Sequence, residues 1–216
     1  MEGDYQRART VEQKEQRRQH ILAVAREMLA EVEDPGELSL SALARRSGMA
    51  KSNLYRYFES REAVLLELLT AEWLSWHEDV LLRIRSIRSK RRIDGLVRVL
   101  AACTASRPLL CQLMHILPSV LERNLQFDTV RDFKLGGASL SRDLAHAFAE
   151  QIPDFEVAQH AELLRHLFIA VVGLWPLAHP VASACLAMED PRLESMRFTF
   201  ESDLKRMLAL IAKGLG

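Results

Sequence analysis

Residues 39 to 61 run Ser-Leu-Ser-Ala-Leu-Ala-Arg-Arg-Ser-Gly-Met-Ala-Lys-Ser-Asn-Leu-Tyr-Arg-Tyr-Phe-Glu-Ser-Arg and read as two short helices joined by a glycine turn. Ser39 is an N-cap: its hydroxyl can accept a hydrogen bond from a free backbone N–H, and Leu40, Leu43 and Ala44 follow at helical spacing. Gly48 ends that helix, because a residue without Cβ takes the left-handed conformation that a helix C-terminus often needs. A second helix restarts near Lys51. Successive residues advance roughly 100° around it, so Leu54 and Phe58 share one side while Lys51, Ser52, Tyr55 and Arg56 share another. One side packs and the other is left to meet a ligand. This is a helix-turn-helix pattern, and it points to duplex DNA.

Charge supports the same reading. Between Leu38 and Arg61 the cations Arg45, Arg46, Lys51, Arg56 and Arg61 face the single Glu59, a field that attracts a phosphate backbone. Arg7, Arg9, Lys14, Arg17, Arg18 and Arg26 likewise outnumber Glu12 and Glu15 in the helix before it. The acids Glu27, Glu31, Glu33, Asp34 and Glu37 gather toward its far end. One edge can therefore face DNA although the chain as a whole, with 29 Lys and Arg against 29 Asp and Glu, is formally neutral.

The run from about Gln19 to Leu69, with Leu43-Ala44, Gly48, Leu54-Tyr55, Phe58 and Ser60-Arg61-Glu62-Ala63, resembles the N-terminal DNA-binding domain of the tetracycline-repressor (TetR) family of bacterial regulators. The resemblance implies a three-helix domain whose third helix enters the major groove and a fourth helix whose start touches backbone phosphate. Carried onto this chain, it makes Lys51, Ser52 and Asn53 groove-contacting positions, Tyr55 and Tyr57 phosphate or methyl contacts, Ser39 and Arg61 backbone clamps, and Ser41 a residue within reach of a base. The helical wheel sets Tyr57 apart from the Lys51 arc, so its role requires a frayed helix end.

The 216 residues, 49% hydrophobic and 27% charged, suit one sizeable core beside a small satellite. No segment shows sustained strand alternation, so the expected class is all-α. The expected division is a helix-turn-helix domain over 1–62 and a larger helical effector-binding and dimerisation domain over 63–216. Helices are expected near 11–32, 40–47, 51–57, 60–86, 91–106, 109–123, 127–151, 155–178 and 192–213, with a kink or local widening at Gly136-Gly137. Cys103, Cys111 and Cys185 are odd in number, lack metal-ligand spacing and sit among apolar residues, as reduced thiols do. The N-terminus lacks an apolar signal segment, and the uncharged stretch Leu167 to Ala178, 12 residues including Pro176, is too short to cross a bilayer. A cytoplasmic location, with no membrane association, is the expectation.

Enzymatic chemistry has little to stand on. There is no glycine-rich phosphate loop, nucleophile elbow or paired metal-ligand motif, and His160 and His166, six apart, fall on different helix faces. No catalytic residue, cofactor or metal is expected. Around Leu167 to Trp175 apolar residues cover every face of the helix, leaving one side for a partner, and the final helix carries a stripe of Leu193, Met196, Phe200, Leu204, Met207, Leu208 and Ile211. The resemblance implies that these two helices, near 155–178 and 192–213, pair with their symmetry mates. The expected partners are thus double-stranded DNA and a second copy of the chain, in a homodimer on a palindromic site. The resemblance also implies a pocket among the middle helices. Trp73, Trp76, Cys103, Met114, His115, Phe133, Phe168 and Trp175 would suit a small hydrophobic or planar effector that releases a repressor from DNA. The alternative is a DNA-binding protein controlled by a protein partner, or one with no effector. An open apolar cavity would favour the first and a filled interior the second.

Overall fold

The computed structural model describes residues 2–32, 34–88 and 92–216, with side chains from residue 12 onward. Glu33 lies outside the described residues, and Arg7 and Arg9 are described by backbone alone. The chain runs α1 (Glu2–Leu29), a 3-10 turn (Pro35–Glu37), α2 (Leu40–Arg46), α3 (Lys51–Leu54), α4 (Arg61–Ile84), α5 (Arg92–Ala105) and α6 (Pro108–Ile116). A π turn (Leu117–Leu121), α7 (Phe127–Gln151), α8 (Val157–Ala178), α9 (Ala182–Ala187), a second 3-10 turn (Pro191–Met196) and α10 (Phe200–Leu215) complete it. No strand forms among the described residues.

The head is built from α1 to α3 and the start of α4. Ile21 and Ala25 from α1, Leu43 from α2, Leu54 and Phe58 from α3 and the turn after it, and Leu65 from α4 are all buried together. Full burial of one such side chain stabilises the fold by about 1.5–3 kcal/mol, so Leu54 and Phe58 fix α3 rather than its own few helical bonds. The Arg18 guanidinium closes the joint: Nε donates to Glu67 Oε1 at 2.7 Å, Nη1 donates to the Tyr57 carbonyl at 3.0 Å, and the group lies over the Phe58 ring. Two turns further along α1, Arg26 pairs with Glu72.

α4 carries this core onward through Leu68, Leu69, Trp76, Val80 and Ile84 into the second body, where α5, α6 and α7 pack against it and α8 and α10 pack against those helices in turn. α8 starts at Val157, ten residues before the uncharged stretch judged too short to cross a bilayer, and over its full 22 residues it is long and apolar enough, by length and composition alone, to do so. It packs against α6, α7 and α10 and buries His160 between Phe148 and Phe155.

Several expected boundaries move, each for a local reason. α1 ends at Leu29 rather than 32. The expected helix over 109–123 is α6 followed by a π turn, which begins where Pro118 lacks the N–H that would continue the ladder. The widening expected at Gly136-Gly137 is therefore found here instead, and α7 runs unbroken through both glycines. The expected final helix from 192 divides in two. Asp190 caps the Pro191–Met196 turn, Thr199 is extended, and α10 starts at Phe200, with Asp203 accepting the Thr199 N–H at 2.7 Å. Leu193 and Met196 thus leave the stripe, and α9 is an element the sequence pattern does not announce.

Candidate DNA-binding face and central cavity

The exposed side of the head is assembled by the turn between α2 and α3. Ser39 caps α2, its hydroxyl accepting from the Ala42 N–H at 3.1 Å, a contact worth about 1 kcal/mol. Gly48 has φ +68°, the left-handed conformation that lets the chain reverse. With Leu54 and Phe58 turned inward, Lys51, Ser52, Asn53, Tyr55 and Arg56 are all exposed, as is Ser41 on α2. The Lys51 ammonium lies 5.9 Å from the Tyr55 ring centre, a cation–π approach that orders both side chains on one surface. Tyr57 is half-buried at the end of the helical run, beside rather than on that surface.

Which cations remain available is decided by pairing. Arg18 and Arg26 are held by α4, Arg46 pairs with Glu31, and Arg61 donates to the Gly36 carbonyl and to Glu62. Lys14, Arg17, Arg45, Lys51 and Arg56 have no ion pair among the described residues. Lys14, Arg17 and Arg56 line a trough of about 900 Å³ between α1 and α3, together with His20, Asn53 and Tyr57, and no carboxylate enters its lining. The trough extends the positive surface from the candidate face onto α1, whose residues the sequence pattern offered only as bulk charge.

A second opening, of about 520 Å³, lies in the middle of the helical body. Trp73 and Trp76 from α4, Met114 from α6, Phe133 from α7 and Phe168 from α8 form its walls. The space exists because α7 turns a side of Gly137, Ala138, Ser141 and Ala145 toward it, and residues this small leave the bundle unfilled. Gly137 also admits the Trp73 indole, since a Cβ there would stand 3.2 Å from the ring. Trp76 is held in place by its indole N–H, which donates to the Thr104 hydroxyl at 3.2 Å.

Three of the expected lining residues are elsewhere. Cys103 is fully buried behind the wall, where burial pushes its thiol up to about 11. His115 faces α8, with Nδ1 3.0 Å from the Val172 carbonyl. Trp175 stacks on His179 and meets the edge of Phe200, away from the cavity. Thr104, Leu110, Leu117, Lys134, Arg142 and Arg165 line it instead and were not foreseen. The side of small residues on α7 is the sequence signal that could have found this wall. Among the described residues no three of His, Cys, Asp and Glu gather into a metal-binding group.

Family models divide the chain between them. Residues 21–68 match the bacterial regulatory proteins of the tetR family, and residues 70–216 match the tetracyclin repressor-like C-terminal domain. The chain belongs to the TetR family. It is thus a DNA-binding transcriptional regulator and not an enzyme, in a family whose members are generally repressors. The two matched regions meet within α4. Among solved structures, the fatty acid degradation regulator FadR from Bacillus halodurans is 14% identical, with a TM-score of 0.55 over 91% of this chain and 98% of that one. The TetR-family repressor AlkX from Dietzia sp., implicated in biodegradation of n-alkanes, is 15% identical, with a TM-score of 0.53 over 92% and 94%. A TetR transcriptional regulator from Rhodococcus sp. is 15% identical, with a TM-score of 0.50 over 91% and 96%. At these identities the likeness is one of fold. No curated protein matches this TetR-family chain.

Proposed function

We propose that this TetR-family chain is a homodimeric repressor that binds a palindromic operator and is released from it by a small hydrophobic effector held in the central cavity. The observation that carries the proposal is the position of α4. Ser60 caps its start soon after α3, its first half binds Arg18 and Arg26 of the head through Glu67 and Glu72, and its middle supplies Trp73 and Trp76 to the cavity. Phe133 touches both regions, lining the cavity and also the cleft between the head and α7. A ligand that displaces Trp73 or Phe133 would shift the population toward a placement of the heads that does not match the operator. An open apolar cavity supports chemical sensing over control by a protein partner.

In this proposal Lys51, Ser52 and Asn53 meet the major groove. Tyr55, and Tyr57 from the trough side, approach a phosphate or a base methyl, Ser39 clamps the backbone at the start of α2, and Ser41 on α2 lies within reach of a base. Arg61 contributes through the donors left over from Gly36 and Glu62. The head is assigned to 1–62 and the effector-binding and dimerising body to 63–216, with α4 as the link, and repression at a promoter places the protein in the cytoplasm.

The test is selection of bound duplexes from a random pool near physiological salt, with Lys51→Ala and Tyr55→Ala run beside the wild type. Wild type should enrich a palindrome. Each variant should lose about 1–3 kcal/mol of operator binding, with melting temperature unchanged because both side chains are exposed. Undiminished binding by both variants would remove this face as the operator contact.

A further inference from the structure

We infer that the central cavity takes an anionic amphiphile, an apolar chain or ring system carrying one carboxylate-type group, with the charge met by Arg142. The inference rests on the proposed role of this cavity as the effector site and names the chemistry that fills it. The cavity's side chains include the cations Lys134, Arg142 and Arg165 and no carboxylate. Two of the three are already matched: Lys134 Nζ lies 2.7 Å from Glu122 Oε1, and Arg165 pairs with Glu162 one helical turn away. Arg142 has no hydrogen bond or ion pair among the described residues, so its planar fork of donors is free to hold a carboxylate.

The position of the charge sets the orientation of the ligand. The inner walls are Trp73, Trp76, Leu110 and Leu117, and the Thr104 hydroxyl among them is already engaged by the Trp76 N–H. An apolar body belongs there. Arg142 is solvent-exposed at the rim, beside Ser141, so the polar end of the ligand belongs at the mouth. Apolar walls lower the local dielectric and strengthen a charge pair beside them relative to the same pair in open water. A neutral hydrophobe would fill the space but leave Arg142 unmatched. A cationic ligand would be repelled by the uncompensated charge of Arg142.

Decanoate and 1-decanol, equal in chain length and differing in charge, separate these cases. Binding is read from tryptophan fluorescence, since Trp73 and Trp76 line the cavity. The wild-type protein should bind decanoate about tenfold or more tightly than decanol at neutral pH, the size of one charge-assisted contact. Arg142→Gln should abolish that preference while leaving decanol binding unchanged. Arg142→Glu should reverse it, so that decylammonium binds better than decanoate. Because Arg142 is exposed and unpaired, neither variant should disturb folding. Equal affinities for decanoate and decanol in wild type, or a preference that survives in both variants, would overturn the inference while leaving the cavity as an effector site. If neither decanoate nor decanol perturbs the tryptophans or the complex with operator DNA, the effector role proposed for the cavity falls with it.

Discussion

Gly48 has φ +68°, and a Cβ built on it meets nothing within 4 Å, so only the backbone opposes a substitution there. Gly48→Ala is expected to cost about 1–2 kcal/mol, the ordinary penalty of a left-handed residue with a side chain, read as a lower melting temperature. His160 makes a different kind of contribution. Its Nε2 lies 3.1 Å from the Ile152 carbonyl, which can only accept, so Nε2 carries the proton and Nδ1 is left a bare acceptor without a partner in the core. Burial holds its pKa below the usual histidine value, against opposing contributions from the Ile152 carbonyl and Asp154, and burial likewise lowers His77 against Asp143 and Glu78. A base depressed in the folded state binds its proton more readily when unfolded. The neutral imidazoles therefore contribute their full stability above the unfolded pKa of about 6.5, and that contribution is lost as pH falls below it. Melting temperature should drop between about pH 7.5 and pH 5.5, and His160→Phe should make the drop shallower, leaving the share due to His77. An identical slope in the variant would show that His160 is not coupled to unfolding in this range.

α7 holds two adjacent glycines with opposite surroundings. A Cβ on Gly136 would meet open space, whereas one on Gly137 would stand 3.2 Å from Trp73. Gly136→Ala should stabilise the helix by about 0.5–1 kcal/mol by removing backbone freedom from the unfolded chain, and Gly137→Ala should gain less and disturb tryptophan fluorescence. Thermal melts of the two variants check this. The pair also shows what a one-dimensional pattern conveys. Glycine spacing identified the turn at Gly48, where the requirement is local, but misplaced the break in α7, which runs unbroken while packed on α4 and α8, elements far away in sequence. The cap at Ser39 and the buried pair Leu54 and Phe58 were legible for the same local reason. The cavity was legible in Trp73, Trp76, Met114, Phe133 and Phe168, which line it, while Trp175, as large and apolar, packs on Phe200. Which side of a helix faces a void is set by how the helices cross. Arg61 shows the limit from the other direction, since its position in the motif gives no sign that Gly36 and Glu62 engage its guanidinium.

The whole molecule presents a face that a single chain leaves unused. Much of the stripe expected on the last helix is consumed internally, with Phe200, Leu204 and Leu208 buried against α5 and α8, so those residues cannot also meet a partner. What remains outside is Ile169 and Leu177 on α8, separated by the exposed Gly173 one turn from each, with Met207 and Leu210 on α10. Ile169 and Leu210 are 56% and 59% exposed, so placing a charge at each leaves the monomer core intact, whereas a two-fold interface would bury unpaired carboxylates. The combined variant Ile169→Glu, Leu210→Glu should therefore melt cooperatively but sediment as a single 24.6 kDa chain. Its operator affinity should fall by about 10²–10⁴-fold, because two heads joined in one dimer bind the second half-site at a high effective concentration and separate heads do not. Single half-sites should be bound equally by variant and wild-type heads, since the surface proposed on α3 is untouched. A variant that remains dimeric and keeps full operator affinity would move the interface off α8 and α10, and the apolar surface around α9, with Leu186 and Phe198 exposed, would become the face to test.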